Sequence, residues 1–174
     1  METVDQILAR AEEETGPPPE PQEGIPKQWL PGWIRWPIRV LAMPLILMDL
    51  YAQKVATWAL RPPYRQVGAC RKRGNCCHYI LIPEAKGWMG KFAFFVYTQI
   101  YGFYPRYPEP HLYEGKRIQV MGCRYLKKGG SCSHYRLRPT VCRKWPLIAH
   151  FGRPRVLKGC GFQAVPRTDR LKVL

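Results

Sequence analysis

Seven cysteines constrain what this chain can fold into more than any other feature: Cys70, Cys76, Cys77, Cys123, Cys132, Cys142 and Cys160. An odd number cannot close into disulfides without leaving one thiol over. The chain starts acidic where an export signal requires a cationic start and then an apolar stretch, so the expected compartment is the cytosol, where thiols stay reduced. Metal ligation is the use that fits them. The run Cys70-Arg71-Lys72-Arg73-Gly74-Asn75-Cys76-Cys77-His78 packs three thiols and a histidine into nine residues, with Gly74-Asn75 supplying a turn that can fold them toward one centre. Cys123, Cys132 and Cys142 form a second group, separated by eight and nine residues, with Gly129-Gly130 as its own turn. Lysines and arginines flank both groups, among them Arg71, Lys72, Arg124, Lys127 and Arg143, and nearby positive charge favours thiolate over thiol.

Eighteen prolines and fifteen glycines in 174 residues mean short, interrupted elements and a loop-rich fold held by more than a large core. The length suits one domain plus extensions and leaves little room for a separate nucleotide-binding fold. A hydrophobic fraction of 46%, with six tryptophans and ten tyrosines, excludes a wholly disordered polyelectrolyte. The formal charge of +16 is uneven: residues 1–24 carry seven acids and one base, so the remainder holds about +22. Within the acidic part, Val4, Ile7, Leu8 and Ala11 predict a short amphipathic helix, and Gly16-Pro17-Pro18-Pro19-Glu20-Pro21 predicts an extended linker. A solvated tail is the expected fate of this arm, with packing across the basic surface or onto a partner as the alternative.

From Gln28 to Tyr64 the chain becomes its most apolar. Trp29, Trp33 and Trp36 lead into Val40-Leu41-Ala42-Met43-Pro44-Leu45-Ile46-Leu47-Met48, followed by Val55, Trp58 and Leu60. Only nine uncharged residues separate Arg39 from Asp49, whereas a simple span needs about 20 apolar residues. Helical spacing places Arg35, Arg39, Ala42, Asp49, Gln53 and Thr57 on one narrow stripe, interrupted by Ile46, with Pro44 expected to kink the helix. Tryptophans at both ends and basic flanks at Arg35, Arg39, Arg61 and Arg65 suit an anionic headgroup layer. Peripheral attachment is the first reading, a span or hairpin the second and a buried core helix the third. A further aromatic run from Trp88 to Tyr104 either extends a membrane face or is core.

The residues Cys132-Ser133-His134-Tyr135-Arg136-Leu137-Arg138-Pro139-Thr140-Val141-Cys142-Arg143-Lys144-Trp145-Pro146 resemble the C-x-x-Y-x-x-R-P-x-x-C-R-x-aromatic-P signature of the YkgJ-type cysteine-cluster proteins. Cys123-Arg124-Tyr125-Leu126 is similar to the segment preceding that signature, and Cys70 to Cys77 resembles the C-x-x-C-x-x-C-C motif at its front. The three blocks span about residues 68–162 and leave the first 60 residues untouched. Arg73 stands at the second cysteine position of the front motif, and an arginine cannot ligate a metal, so either the site uses fewer thiols or a residue such as Cys160, His78 or His134 completes it. The resemblance implies zinc or iron chelation. An iron–sulfur cluster, [4Fe–4S] by preference, uses four of the seven thiols, whereas seven cysteines plus one histidine suffice for two zincs. The adjacent Cys76-Cys77 pair, awkward on one tetrahedral ion, favours the cluster. Around the ligands, Arg138 is expected to donate to backbone carbonyls or sulfur, Tyr135 and Trp145 to shield the site or pack as core, and Arg143 to sit in its second layer. His111 and His150 are read as solvent or core histidines.

The expected architecture is a small α+β or irregular metal-nucleated domain, preceded by an amphipathic, membrane-associated helix. Its parts are an acidic tail and Pro-rich linker over 1–27, the amphipathic segment over 28–65, the cysteine-cluster domain over 66–165 and a basic tail over 166–174. Ile118-Gln119-Val120-Met121 alternates as a strand entering Cys123, and Lys91 to Tyr101 reads as a helix between the cysteine groups. Functionally this points to a membrane-associated accessory, electron-transfer or metal-handling factor on an anionic membrane surface, with a protein partner of unknown kind. A redox or S-adenosylmethionine-linked enzyme is the second hypothesis, since the resemblance extends to a domain of flagellin lysine methylases. Against it, no Gly-rich cofactor loop follows a strand, and only five acids remain after residue 24 for acid–base work. A nucleic-acid binder is the third hypothesis, suggested by the basic charge and the aromatics but opposed by the apolar segment.

Overall fold

The strand expected to enter Cys123 is the centre of the main sheet. In the computed structural model, which describes residues 3–13, 24–72, 74–84, 86–113, 115–127, 130–144, 157 and 160–167, it runs as Lys116–Cys123. In chain order the elements are α1 (Val4–Glu13), α2 (Gly32–Leu60), β1 (Tyr64–Gly68), α3 (Asn75–His78), β2 (Ile80–Pro83) and α4 (Gly87–Phe95). After a π-helical turn (Val96–Ile100) come β3 (Phe103–Pro105), β4 (His111–Tyr113), β5 (Lys116–Cys123), a 3₁₀ turn (Tyr135–Leu137), α5 (Thr140–Lys144) and β6 (Phe162–Pro166). The fold is thus mixed α+β with antiparallel sheets and one long apolar helix ahead of them.

Three strands pair with β5. β2 pairs along one edge, with Ile80 opposite Met121, while β3 and β4 divide the other edge, with Phe103 opposite Cys123 and His111 opposite Ile118. Because side chains alternate across a strand, β5 sends neighbours to opposite faces. Met121 packs with Ile80, Ile82 and Phe103, and Val120 packs with Tyr79, Ile7 and Ala11.

Ile7 and Ala11 belong to α1, so the acidic arm is not a solvated tail over 4–13. Val4, Ile7, Leu8 and Ala11 are all buried, and Val4 and Leu8 also enclose Leu157. Fully burying a Val, Leu or Ile side chain contributes roughly 1.5–3 kcal/mol, which gives α1 a substantial share of the core. Its start is fixed by a reciprocal capping box, in which the Gln6 backbone N–H donates to Thr3 Oγ1 and the Thr3 backbone N–H to Gln6 Oε1. The Pro-rich linker expected at 16–21 lies outside the described residues.

α2 runs through both Pro37 and Pro44 and ends at Arg61, whose left-handed backbone lets its N–H donate to Thr57 O. Its amphipathicity is inverted. The first half of the stripe read from the sequence faces the domain, with Arg39 3% exposed and Ile46 buried, whereas Asp49 further along it is exposed and Leu41 on the other side is 76% exposed. The approach to α2 is pinned to the π-helical turn, since the Gln28 amide donates to the Thr98 and Gln99 carbonyls and the Trp29 N–H to Gln99 Oε1. α4 starts ahead of the expected Lys91 and gives way to that turn instead of continuing as α-helix to Tyr101. Trp88, Met89, Phe92 and Phe94 on α4 are exposed, so this part of the aromatic run is surface.

Arg39 joins the apolar helix to the cysteine-bearing domain. Its Nε donates to Ile100 O at 2.7 Å, its Nη2 bonds the same carbonyl, and its Nη1 donates to His134 Nδ1 at 2.6 Å. The guanidinium also lies over the Tyr125 ring, 4.4 Å from its centroid. Arg39→Ala leaves the buried Ile100 carbonyl and the part-buried His134 Nδ1 without this donor, the buried one at about 1–3 kcal/mol. A loss of roughly 3 kcal/mol in urea unfolding is expected, and a change within experimental error contradicts this anchoring role.

Candidate metal centre

Two non-local pairings bring the cysteine groups together. β1 and β6 form a separate antiparallel ribbon in which Tyr64 faces Pro166 and Gly68 faces Phe162. Continuing that register by two pairs sets Cys70 opposite Cys160. The ribbon closes tightly here: a Cβ on Gly161 would fall 1.9 Å from Ala69 O, and one on Gly68 2.1 Å from Gly161 O. Cys123 ends β5, and the chain then folds back in a narrow turn, with Lys127 N–H donating to Ser131 O and an isolated bridge pairing Leu126 with Cys132.

Cys76 and Cys77 ride on α3, entered through Gly74 at φ +88°, where a Cβ would lie 2.9 Å from Gly130 Cα. A side chain at Gly74 would therefore prise the two cysteine loops apart. Lys72 is also left-handed, at φ 56°, and its N–H donates to Cys70 Sγ at 3.4 Å. Cys142 sits on α5 and packs with Cys123 against Ile80, Ile82, Phe103 and Met121.

All seven cysteines line one narrow cavity of about 50 Å³, together with Tyr135 and Arg138. A water needs roughly 10–15 Å³ by the same measure, so the space suits an inorganic centre and is too small for an organic cofactor. Each cysteine is half-buried and free of disulfides. Among the described residues, no three His, Cys, Asp or Glu side chains close on one point as a single-ion site requires. The sulfurs surround the cavity more openly than that.

Among the described residues, no histidine lines this cavity. His134, on which site completion could have fallen, accepts from Arg39 and stacks on Tyr125 with ring centroids 4.2 Å apart. His78 is kept neutral, pushed down to about 4 by burial and then by Arg106. His111 is buried on β4 against Tyr107, as a core histidine. Of the candidates to replace the thiol missing at Arg73, Cys160 alone reaches the cavity. Arg73, Trp145 and His150 lie outside the described residues.

The arginines of the signature act through the backbone. Arg138 lies 3.7 Å above the Tyr135 ring and donates to Tyr135 O at 3.0 Å, which fixes a cation in the cavity wall. Arg143 donates to Arg138 O and Arg136 O and so ties α5 to the 3₁₀ turn. Tyr135 is 45% exposed and covers the mouth only partly.

Nearby cations favour thiolate as expected, but in the metal-free chain burial and neighbouring sulfurs outweigh them. Cys77 is pushed far up, first by its hydrogen bond with Cys76, then by burial and the neighbouring sulfurs. Burial, followed by Cys123 and Cys132, raises Cys142, with Arg138 opposing. Burial raises Cys123 to about 11 despite the Tyr125 N–H and the Arg39 and Arg124 charges. A bound cation reverses this balance, because it neutralises sulfurs that otherwise repel one another.

Raised thiol values make the metal-free fold pH-sensitive. The stabilisation they represent is fully present below the unfolded thiol value of about 8.5 and is lost as pH rises toward the folded values. The urea midpoint of reduced, chelator-treated protein is expected to hold steady near neutrality and fall from about pH 8.5 upward. A midpoint flat through pH 10 contradicts this description of the thiols.

No family model, curated protein or solved structure matches this chain in comparisons with known proteins.

Proposed function

We propose that this chain is a cysteine-ligated metal protein of the cysteine-cluster kind its motifs resemble, attached to the inner face of a membrane. Its role is that of an electron-transfer, metal-handling or accessory factor. The observation that carries this reading is that seven cysteines, scattered from residue 70 to residue 160, line one small cavity. Thiols brought from distant segments around one space form a soft donor set, and a bound cation would favour the thiolate form that the metal-free chain disfavours.

An iron–sulfur cluster suits the donor set better than zinc. Seven cysteines in one lining suit a centre that spreads its ligands over several metal atoms, and among the described residues no histidine joins them as the two-zinc alternative needs. Such a cluster, when bound, supplies a one-electron couple whose potential follows local charge and solvent access. Around it the chain's own residues have definite tasks: Arg138 offsets sulfur charge, Arg143 holds the turn that carries it, and the Gly68–Gly161 closure brings Cys160 into reach.

Membrane attachment is supported by α2, which is long and apolar enough by length and composition to cross a bilayer and which leaves Leu41, Leu45, Leu47 and Trp58 exposed. The polar stripe of α2 is spent on the domain through Arg39, so the exposed apolar side is left for lipid. Lying flat in the interface suits it better than crossing, because Arg35 and Arg39 are fixed to the domain.

Maleimide counting of thiols tests the metal reading. Protein isolated without oxygen is expected to leave at least four cysteines unlabelled until a chelator and a mild oxidant are added. Seven thiols that label equally fast before and after that treatment contradict it.

A further inference from the structure

A second cavity, of about 360 Å³, lies beneath α4 and has no part in the metal centre. We propose that it binds the hydrocarbon chain of a single-chain carboxylate amphiphile, a fatty acid taken from the bilayer. Its volume falls within the roughly 300–1,000 Å³ typical of small-ligand sites. Ile82, Ala93, Phe94, Tyr97 and Met121 give it apolar walls, and Gly90 and Ala93 of α4 are too small to fill it.

Two observations select the ligand. Phe94 belongs both to the cavity wall and to the exposed aromatic surface of α4, where Trp88, Met89 and Phe92 also stand in solvent. The cavity therefore borders an exposed apolar face of α4, and the bilayer as the source of the ligand rests on the membrane attachment proposed for α2. The second observation is the charge at the rim. Glu84 is neutralised by Arg117 at 2.7 Å, and the Gln119 amide donates to Tyr107 O at 2.8 Å. Lys91 then sets the sign of the mouth, and a carboxylate head on an apolar chain meets both requirements.

Ile80 lines the cysteine cavity and Ile82, two residues along β2, lines this one. The two sites thus lie next to each other along one face of β2.

Fluorescence titration of the full chain with cis-parinaric acid, below its micelle concentration, tests the proposal. Saturable binding of one molecule per chain is expected. Ala93→Trp fills the cavity and weakens binding by at least about tenfold, and Lys91→Glu weakens it by about threefold or more. Ala93→Leu, a smaller intrusion, replaces the tryptophan variant if that one fails to fold. Leu41→Glu with Leu45→Glu on α2 removes membrane attachment and leaves binding within about twofold, so failure of the cavity and failure of attachment are told apart. Non-saturable uptake, or titrations that the Ala93 variants leave unchanged, overturns the proposal.

Discussion

Replacing Cys77 or Cys142 by serine is expected to lower bound metal per chain by at least about tenfold, whereas Ser133→Ala leaves it unchanged. Both thiols lie deep in the set, since each is pushed up by several other sulfurs as well as by burial. A serine hydroxyl at either place stays protonated and offers a hard, neutral oxygen where a soft anion is required. Cys142→Ser also tests the signature directly, because Cys142 is held on α5 by backbone bonds that serine does not disturb, its N–H donating to Pro139 O. Metal content measured against far-ultraviolet circular dichroism separates loss of the ligand from loss of the fold. Full metal in both variants contradicts the assignment of these cysteines.

Leu41→Glu combined with Leu45→Glu is expected to abolish sedimentation with vesicles containing anionic phospholipid, a drop of at least tenfold in partitioning. Both leucines are exposed, at 76% and 65%, so two carboxylates meet water in the free protein and lipid only in the attached one. The unfolding free energy in urea is accordingly expected to change by no more than about 0.5 kcal/mol. Binding of the unsubstituted chain is expected to weaken with salt, as the basic flanks at Arg61 and Arg65 lose their attraction to headgroups. Unchanged sedimentation of the double variant, or its unfolding in buffer, contradicts the surface assigned to α2.

The parts of this molecule that were legible in its sequence are those fixed by local pattern. Val4, Ile7, Leu8 and Ala11 announce a helix, and alternation around Val120 announces β5. Helical spacing also gave the stripe through Arg35, Arg39 and Thr57. What each helix packs against is a non-local matter. An acidic amphipathic helix reads as a solvated arm until its apolar face meets Tyr79 and Val120, and composition alone does not say which side of α2 turns inward. The Thr3-Val4-Asp5-Gln6 capping box was a sign that the helix is well defined, and it went unread.

The site divides along the same line. The cysteine motifs place six thiols in two groups, but the arrival of Cys160 depends on the pairing of β1 with β6 across most of the domain. Gly68 and Gly161 were the available signal, since small residues opposite one another permit so close a backbone approach. The effect of the flanking arginines was misjudged for an electrostatic reason: counting cations near each cysteine omits the mutual repulsion of sulfurs and the cost of burial, which outweigh them in the metal-free chain.

Metal analysis with a visible absorption spectrum, on the full chain purified without oxygen, tests the central claim most directly. The account predicts a brown protein with broad visible absorption and several iron atoms per chain, both lost together on chelation. A colourless protein holding neither iron nor zinc, with all seven thiols free, contradicts it.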